Sequence, residues 1–328
     1  MCVSRLNSVK SRTGIVIDVG GTKINCAIVN EQMKITKRWK CRTTELEGDA
    51  ILEQILQNVV SATKSHEICF TGICIPGMVN RVGTITWMPN IRSSGNIRLK
   101  NIVESELKLP TFVTDDRTAA VLGEYLHHHV DNLVVLLIGT GLGAGIMMDG
   151  HAFTGTCGGA GAIGWNIERD DVGKHTKIGL VEEIVSGRGI VDLSIKMGLH
   201  MKTSLGGRRA VNPEMLTTKQ VFDAFDRGDR IAMQAMEKVV LSLSVQITNL
   251  VNTLNPSLII LNGTVGLEIA RRFLPLIRSV VKANALPYAA QVVQIRESEV
   301  GDLSFLYGVA KGAIDLLNAR DNPPEPRL

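Results

Sequence analysis

Residues 14 to 30, Gly-Ile-Val-Ile-Asp-Val-Gly-Gly-Thr-Lys-Ile-Asn-Cys-Ala-Ile-Val-Asn, decide the reading of the fold. An apolar strand carrying one acidic residue, Asp18, turns at Gly20 and Gly21 past Thr22 and Lys23 and continues as a second apolar strand. Paired glycines let backbone N–H groups approach an anion, while Thr22 adds a hydroxyl and Lys23 a point charge. That is the chemistry of a phosphate-binding hairpin. A Walker A loop and a dinucleotide fingerprint both open into a helix, whereas Ile24, Cys26, Ala27, Ile28 and Val29 read on as strand. The plainer alternative is a tight turn between two core strands, with Asp18 facing solvent.

Leu133 to Asp149 repeats the pattern around Gly139-Thr140-Gly141-Leu142-Gly143-Ala144-Gly145. Two strand-turn-strand units in one chain predict a duplicated α/β architecture whose halves grip one polyphosphate. A third glycine turn, Asn262 to Gly266, follows the strand Leu258 to Leu261 and suits close approach to a flat base.

Between and beyond these units, Asp49 to Ser65 has apolar residues at helical spacing, and Ile68 to Ile75 reads as a buried strand ending at Pro76-Gly77. Met78 to Asn90 reads as a loop holding a short hairpin. The strand Leu109 to Thr114 delivers Asp115 and Asp116 at its carboxyl end, just before a helix from about Thr118. Ligands of open α/β sheets collect at such ends. Adjacent carboxylates resist joint ionisation, which raises one pKa toward neutrality and suits a general base; alternatively an Asp there only caps the helix. Val181 to Val185 and Arg230 to Leu254 read as helices, Gly266 to Ala283 as a helix interrupted or restarted at Pro275, Val292 to Ile295 as a short strand and Leu303 to Leu317 as a closing helix. His127, His128 and His129 point in different directions on a helix and so cannot hold one ion together.

Composition narrows the class. There are 36 lysines and arginines against 32 aspartates and glutamates, a net +4 without a basic run, so nucleic acid is not expected as a partner. The uncharged stretch Leu133 to Met148 is broken by glycine and shorter than a spanning helix, so no membrane partner is expected either. Six scattered cysteines form no Cys-x-x-Cys pair, which predicts reduced, mostly buried thiols in a cytoplasmic protein.

Asp-Val-Gly-Gly-Thr-Lys (18 to 23), Ile-Pro-Gly-Met-Val-Asn (75 to 80), Asp-Asp-Arg-Thr-Ala-Ala-Val-Leu-Gly-Glu (115 to 124), Gly-Thr-Gly-Leu-Gly-Ala-Gly-Ile (139 to 146) and Ser-Gly-Arg-Gly (186 to 189) follow one another as in the ROK family of sugar kinases and repressors, which this chain resembles from about Gly14 to Leu317. The resemblance implies a two-domain actin-like ATPase fold of the ribonuclease H-like type, with ATP and sugar between the domains. The domains expected are 1–117 and 118–302, with a helix 303–320 packing back on the first and a tail 321–328. It implies Asp116 as catalytic base, Asp18 near magnesium, and Gly20, Gly21, Thr22, Lys23, Thr140 and Gly141 on the phosphates. Gly263 falls near the adenosine, and Gly77, Asn90, Asp115 and Glu182 on the sugar side. The cofactors implied are ATP and Mg2+; a homodimer is common among such proteins.

Two departures stand out. The family's Gly-Glu-Ile-Gly-His is here Gly161-Ala162-Ile163-Gly164-Trp165, and no cysteine follows Cys157, so zinc is not expected. Trp165 either fills the space left by the histidine, the favoured reading, or offers a ring face to a sugar. Losing two polar contacts should shift which sugar is accepted, and the charge of Asp115 beside the base points to an amino sugar. The function expected is an ATP-dependent carbohydrate kinase acting on a hexose or amino-sugar hydroxyl. The alternative is a weak or inactive relative acting as a sugar or nucleotide sensor; with 13 residues before Gly14, a DNA-binding unit is not expected.

Overall fold

The computed structural model describes residues 11–43, 48–88, 96–167, 178–199 and 216–321. It resolves into two compact units, one of Met1–Leu126, Thr154–Gly159 and Asp302–Leu328, the other of His127–Phe153 and Ala160–Gly301.

In the first unit, β1 (Thr13–Val19), β2 (Lys23–Asn30) and β3 (Ile35–Arg42) form an antiparallel meander, and after α1 (Gly48–Ser65) the strand β4 (Phe70–Ile75) lies parallel to β1. A small hairpin, β5 (Met78–Val79) with β6 (Ile85–Trp87), precedes α2 (Leu99–Leu107). Then β7 (Thr111–Asp115) pairs parallel to β4 and runs straight into α3 (Asp116–His128). The sheet order is β3-β2-β1-β4-β7. Neither β3 nor α2 is anticipated above. The edge strand β3 is mostly exposed and charged, Lys37, Arg38, Lys40 and Arg42 included, which suits an edge that must not pair further.

The second unit repeats this plan. Strands β8 (Leu133–Ile138), β9 (Leu142–Met148) and β10 (His151–Ala152) form the meander. A 3-10 turn at Ile163–Trp165 and helices α4 (Glu182–Val185), α5 (Gly187–Lys196), α6 (Thr218–Asp226) and α7 (Arg230–Leu254) lead to β11 (Leu258–Asn262), parallel to β8. Helices α8 (Thr264–Asn284) and α9 (Pro287–Val292) precede β12 (Gln294–Glu297), giving the order β10-β9-β8-β11-β12. The duplication read from two glycine hairpins therefore extends to whole sheets. Two expectations need correction. Helix α8 runs unbroken through Pro275, because that residue is exposed and the carbonyl it leaves unpaired can face water. The expected strand at Val292 to Ile295 starts two residues later, α9 taking Val292.

The closing helix, α10 (Leu303–Asp321), packs in the first unit on β4, β1 and β7 through Leu306, Val309, Ala310 and Ala313. Glycines bring it against backbone: a Cβ on Gly308 would lie 1.7 Å from the Ala119 carbonyl oxygen, and one on Gly72 would lie 2.5 Å from that of Val309. Of the cysteines, Cys26 and Cys74 are buried as expected, but Cys157 is exposed. Gly308→Val should cost about 3 kcal/mol in a chemical denaturation experiment, since rigid backbone cannot yield to the added side chain.

Candidate active site

The parallel register of the first unit gathers the acidic residues. Asp18 on β1 lies opposite Cys74 on β4, and Ile75 lies opposite Asp115 on β7. Three neighbouring strands thus end in Asp18, in Pro76-Gly77 and in Asp115-Asp116. Gly77 holds φ +140°, and a Cβ there would meet the Trp87 carbonyl oxygen at 2.2 Å, so the turn closes only with glycine. Beyond Asp18 the hairpin is tied from beneath: Gly20 N–H donates to the Lys23 carbonyl at 2.8 Å and the Thr43 hydroxyl to the Gly20 carbonyl at 2.8 Å. Gly21, Thr22 and Lys23 stay exposed, as an anion cradle requires.

The two adjacent carboxylates divide their tasks. Asp115, 1% exposed, accepts at Oδ1 from the backbone N–H groups of Arg117 (3.1 Å) and Thr118 (3.2 Å) and from Arg117 Nε (3.1 Å). Its Oδ2 accepts the Thr118 hydroxyl at 2.8 Å. It caps α3 and neutralises Arg117, so the sugar contact and amino-sugar preference expected of it meet a carboxylate already engaged. Asp116, the first residue of α3, remains partly exposed and takes the Arg117 N–H at 2.9 Å. Burial, then the charge of Asp115, pushes its pKa up to about 7. The argument from adjacent charges thus names the lesser cause; loss of hydration is the greater.

Asp18 accepts from Asn25 Nδ2 at 2.8 Å and from the Cys74 thiol at 3.8 Å. Burial pushes it up to about 6, with Asn25 pulling the other way. Burial and then the charge of Asp18 hold the Cys74 thiol well above its ordinary value, keeping it a neutral donor.

Sequence reasoning passed over Arg117. Besides Asp115, its Nη2 donates to the carbonyls of Gly158 (2.9 Å) and Gly77 (3.3 Å), tying three segments together. A cation in the first turn of a helix, where the dipole opposes it, was the available signal.

The second unit gathers Thr140, Gly141, Glu182 and Gly263. Gly139 N–H donates to the Gly141 carbonyl at 3.0 Å, Gly187 N–H to the Gly139 carbonyl at 2.8 Å, and Thr140 is exposed at the tip. Glu182 Oε2 accepts Leu142 N–H at 2.8 Å, and burial raises its pKa against that bond. Gly263, φ +82°, opens α8 so close to β8 that a Cβ would lie 2.5 Å from the Ile138 carbonyl oxygen. Trp165 is 51% exposed, so it does not fill the core, and the favoured reading of that residue is overturned. Its neighbour Asn166 is held by Gln246 at 2.7 Å. Asn90 lies outside the described residues.

The profile of the ROK family matches residues 14–315. This chain belongs to the ROK family. It is 29% identical over 299 residues to a glucokinase of Halalkalibacterium halodurans, covering 87% of this chain and 90% of that protein. It is 26% identical over 292 residues to an N-acetylmannosamine kinase of Pasteurella multocida, covering 87% and 92%. A ROK family transcriptional regulator, a homolog of the E. coli MLC protein, superposes with a TM-score of 0.81 at 24% identity, over 94% of this chain and 80% of that one. ROK sugar kinases among the structural neighbours carry the actin-like ATPase fold, and the paired sheets here follow it.

For this ROK chain the electrostatics set a stability slope. Folded, Asp116 keeps its proton to about pH 7; unfolded, it releases it in the ordinary carboxylate range. Stability is therefore full below that range and falls as pH rises toward 7. Asp116→Asn should melt above the wild type at about pH 8, by an amount on the order of a few kcal/mol, with the gap closing near about pH 3.5.

Proposed function

We propose that this ROK chain is an ATP-dependent carbohydrate kinase with Asp116 as its general base. The observation that carries the reading is the split between neighbours: Asp115 is locked to Arg117 and Thr118, while Asp116 stays accessible with a pKa of about 7. A base with that affinity takes the proton of a sugar hydroxyl as its oxygen attacks the γ-phosphorus, and ADP leaves. Kinase relatives among glucokinases and N-acetylmannosamine kinases support the class.

Gly20 to Lys23, and separately Thr140 with Gly141, are candidates for phosphate contacts, and Gly263 for the adenosine. Glu182 Oε2 accepts from Leu142, and Oε1, which has no hydrogen-bond partner among the described residues, would meet a sugar hydroxyl. Asp18 offers hard carboxylate oxygen, and the buried Asn25 Oδ1 beside it has no hydrogen-bond partner among the described residues. This donor chemistry suits Mg2+, which would neutralise phosphate charge there. Trp165, exposed where the family has histidine, offers its ring to the apolar face of a sugar.

The test is ADP release from ATP and Mg2+ across hexoses, amino sugars, N-acetyl sugars and cyclitols. Turnover on a subset is expected, rising with pH through about 7 and reduced at least about 100-fold in Asp116→Asn with ATP binding kept. ATP binding without transfer to any acceptor would favour the sensor reading. Trp165→Ala should raise KM for the accepted sugar about tenfold and leave Tm within a degree or so, because an exposed ring contributes little to the core.

A further inference from the structure

We infer that Asn25 is a positioning residue that aims the Asp18 carboxylate at the divalent cation. This rests on the kinase reading above. Asn25 is the cross-strand partner of Asp18 in the β1–β2 pair, so both side chains stand on one face of the sheet. Its Nδ2 donates to Asp18 Oδ2 at 2.8 Å, while the Cys74 thiol, from the strand on the other side, donates to Oδ1 at 3.8 Å. The carboxylate is held from both flanks, which fixes the plane in which it meets a cation.

The second observation is a cost. Only the amide nitrogen can donate to a carboxylate, so the amide is oriented, and its Oδ1 is left buried without a hydrogen-bond partner among the described residues. An unpaired buried acceptor lowers stability, and asparagine is disfavoured in strands, where valine is preferred. The flanking strand residues Ile24, Cys26 and Ala27 are buried and apolar, as a core strand wants. A polar residue kept at a price in stability, with its donor on a candidate cation ligand, is explained by that ligand.

Asn25→Val separates the two roles. Mn2+ is titrated into wild type and variant in the presence of ADP, with free Mn2+ read by electron paramagnetic resonance and Tm measured alongside. The variant should bind Mn2+ at least about tenfold more weakly and bind ADP without metal as the wild type does, since the acceptor removed with Asn25 Oδ1 offsets the donor lost to Asp18 Oδ2. Asn25→Ala should weaken Mn2+ equally. Unchanged Mn2+ affinity overturns the inference alone, as does a variant whose Tm and metal-free ADP binding fall together, since that marks a structural residue. A wild type that takes up no Mn2+ with ADP overturns the kinase reading and this inference with it.

Discussion

The ion pair of Asp115 and Arg117, 3.1 Å apart and largely withdrawn from water, is the constraint on which the candidate site depends. It sits where β7 becomes α3, and the same guanidinium reaches the carbonyls of Gly77 and Gly158. Stripping two charges of water is costly, so such a pair is weak as a source of stability and strong as a way to select one arrangement. The arrangement selected here puts Asp116 one residue beyond a capped, neutralised junction. Among the described residues no salt bridge reaches its carboxylate, and loss of hydration together with the charge of Asp115 outweighs the pull of Arg117 and holds its proton near neutrality.

The same logic orders the neighbouring strand ends. Asp18 is under-hydrated like Asp116, but two neutral donors, Asn25 and Cys74, stand on either side of it in place of a cation. A lysine there would quench the charge a metal needs; an amide and a thiol orient it without cancelling it. The parallel register β1-β4-β7 then brings two distant acidic stretches, Asp18 and Asp115-Asp116, to the same carboxyl edge of the sheet, on either side of Cys74 and the Pro76-Gly77 turn.

Much of this was legible in the chain. Both glycine hairpins, the duplication and the acidic pair follow from local patterns, because a turn between strands and a carboxylate before a helix leave short-range signatures. The edge strand β3 was not legible: Trp39 and Cys41 do alternate with exposed Arg38, Lys40 and Arg42, but a register shift in the pairing with β2 turns Ile35 to the opposite core and cuts the run short. Helix α6 begins with a complete capping box, Thr217 with Gln220, yet that signal is short and easily passed over beside longer periodic runs. Trp165 misled because a large apolar ring is usually buried, and its 51% exposure depends on what surrounds it rather than on its own chemistry.

The sequence by itself determined the family, the repeated strand-turn-strand plan and which residues are chemically able to act, since these depend on residue type and spacing over short distances. Only the tertiary structure decided how Asp115 and Asp116 differ, that Arg117 binds three segments, and that Asn25 and Cys74 flank Asp18. Each of those depends on strand register and burial. Neighbours in a sheet can lie more than fifty residues apart, as Asp18 and Cys74 do, and a carboxylate's affinity for its proton follows from the water and charge around it, which the identity of the residue does not carry.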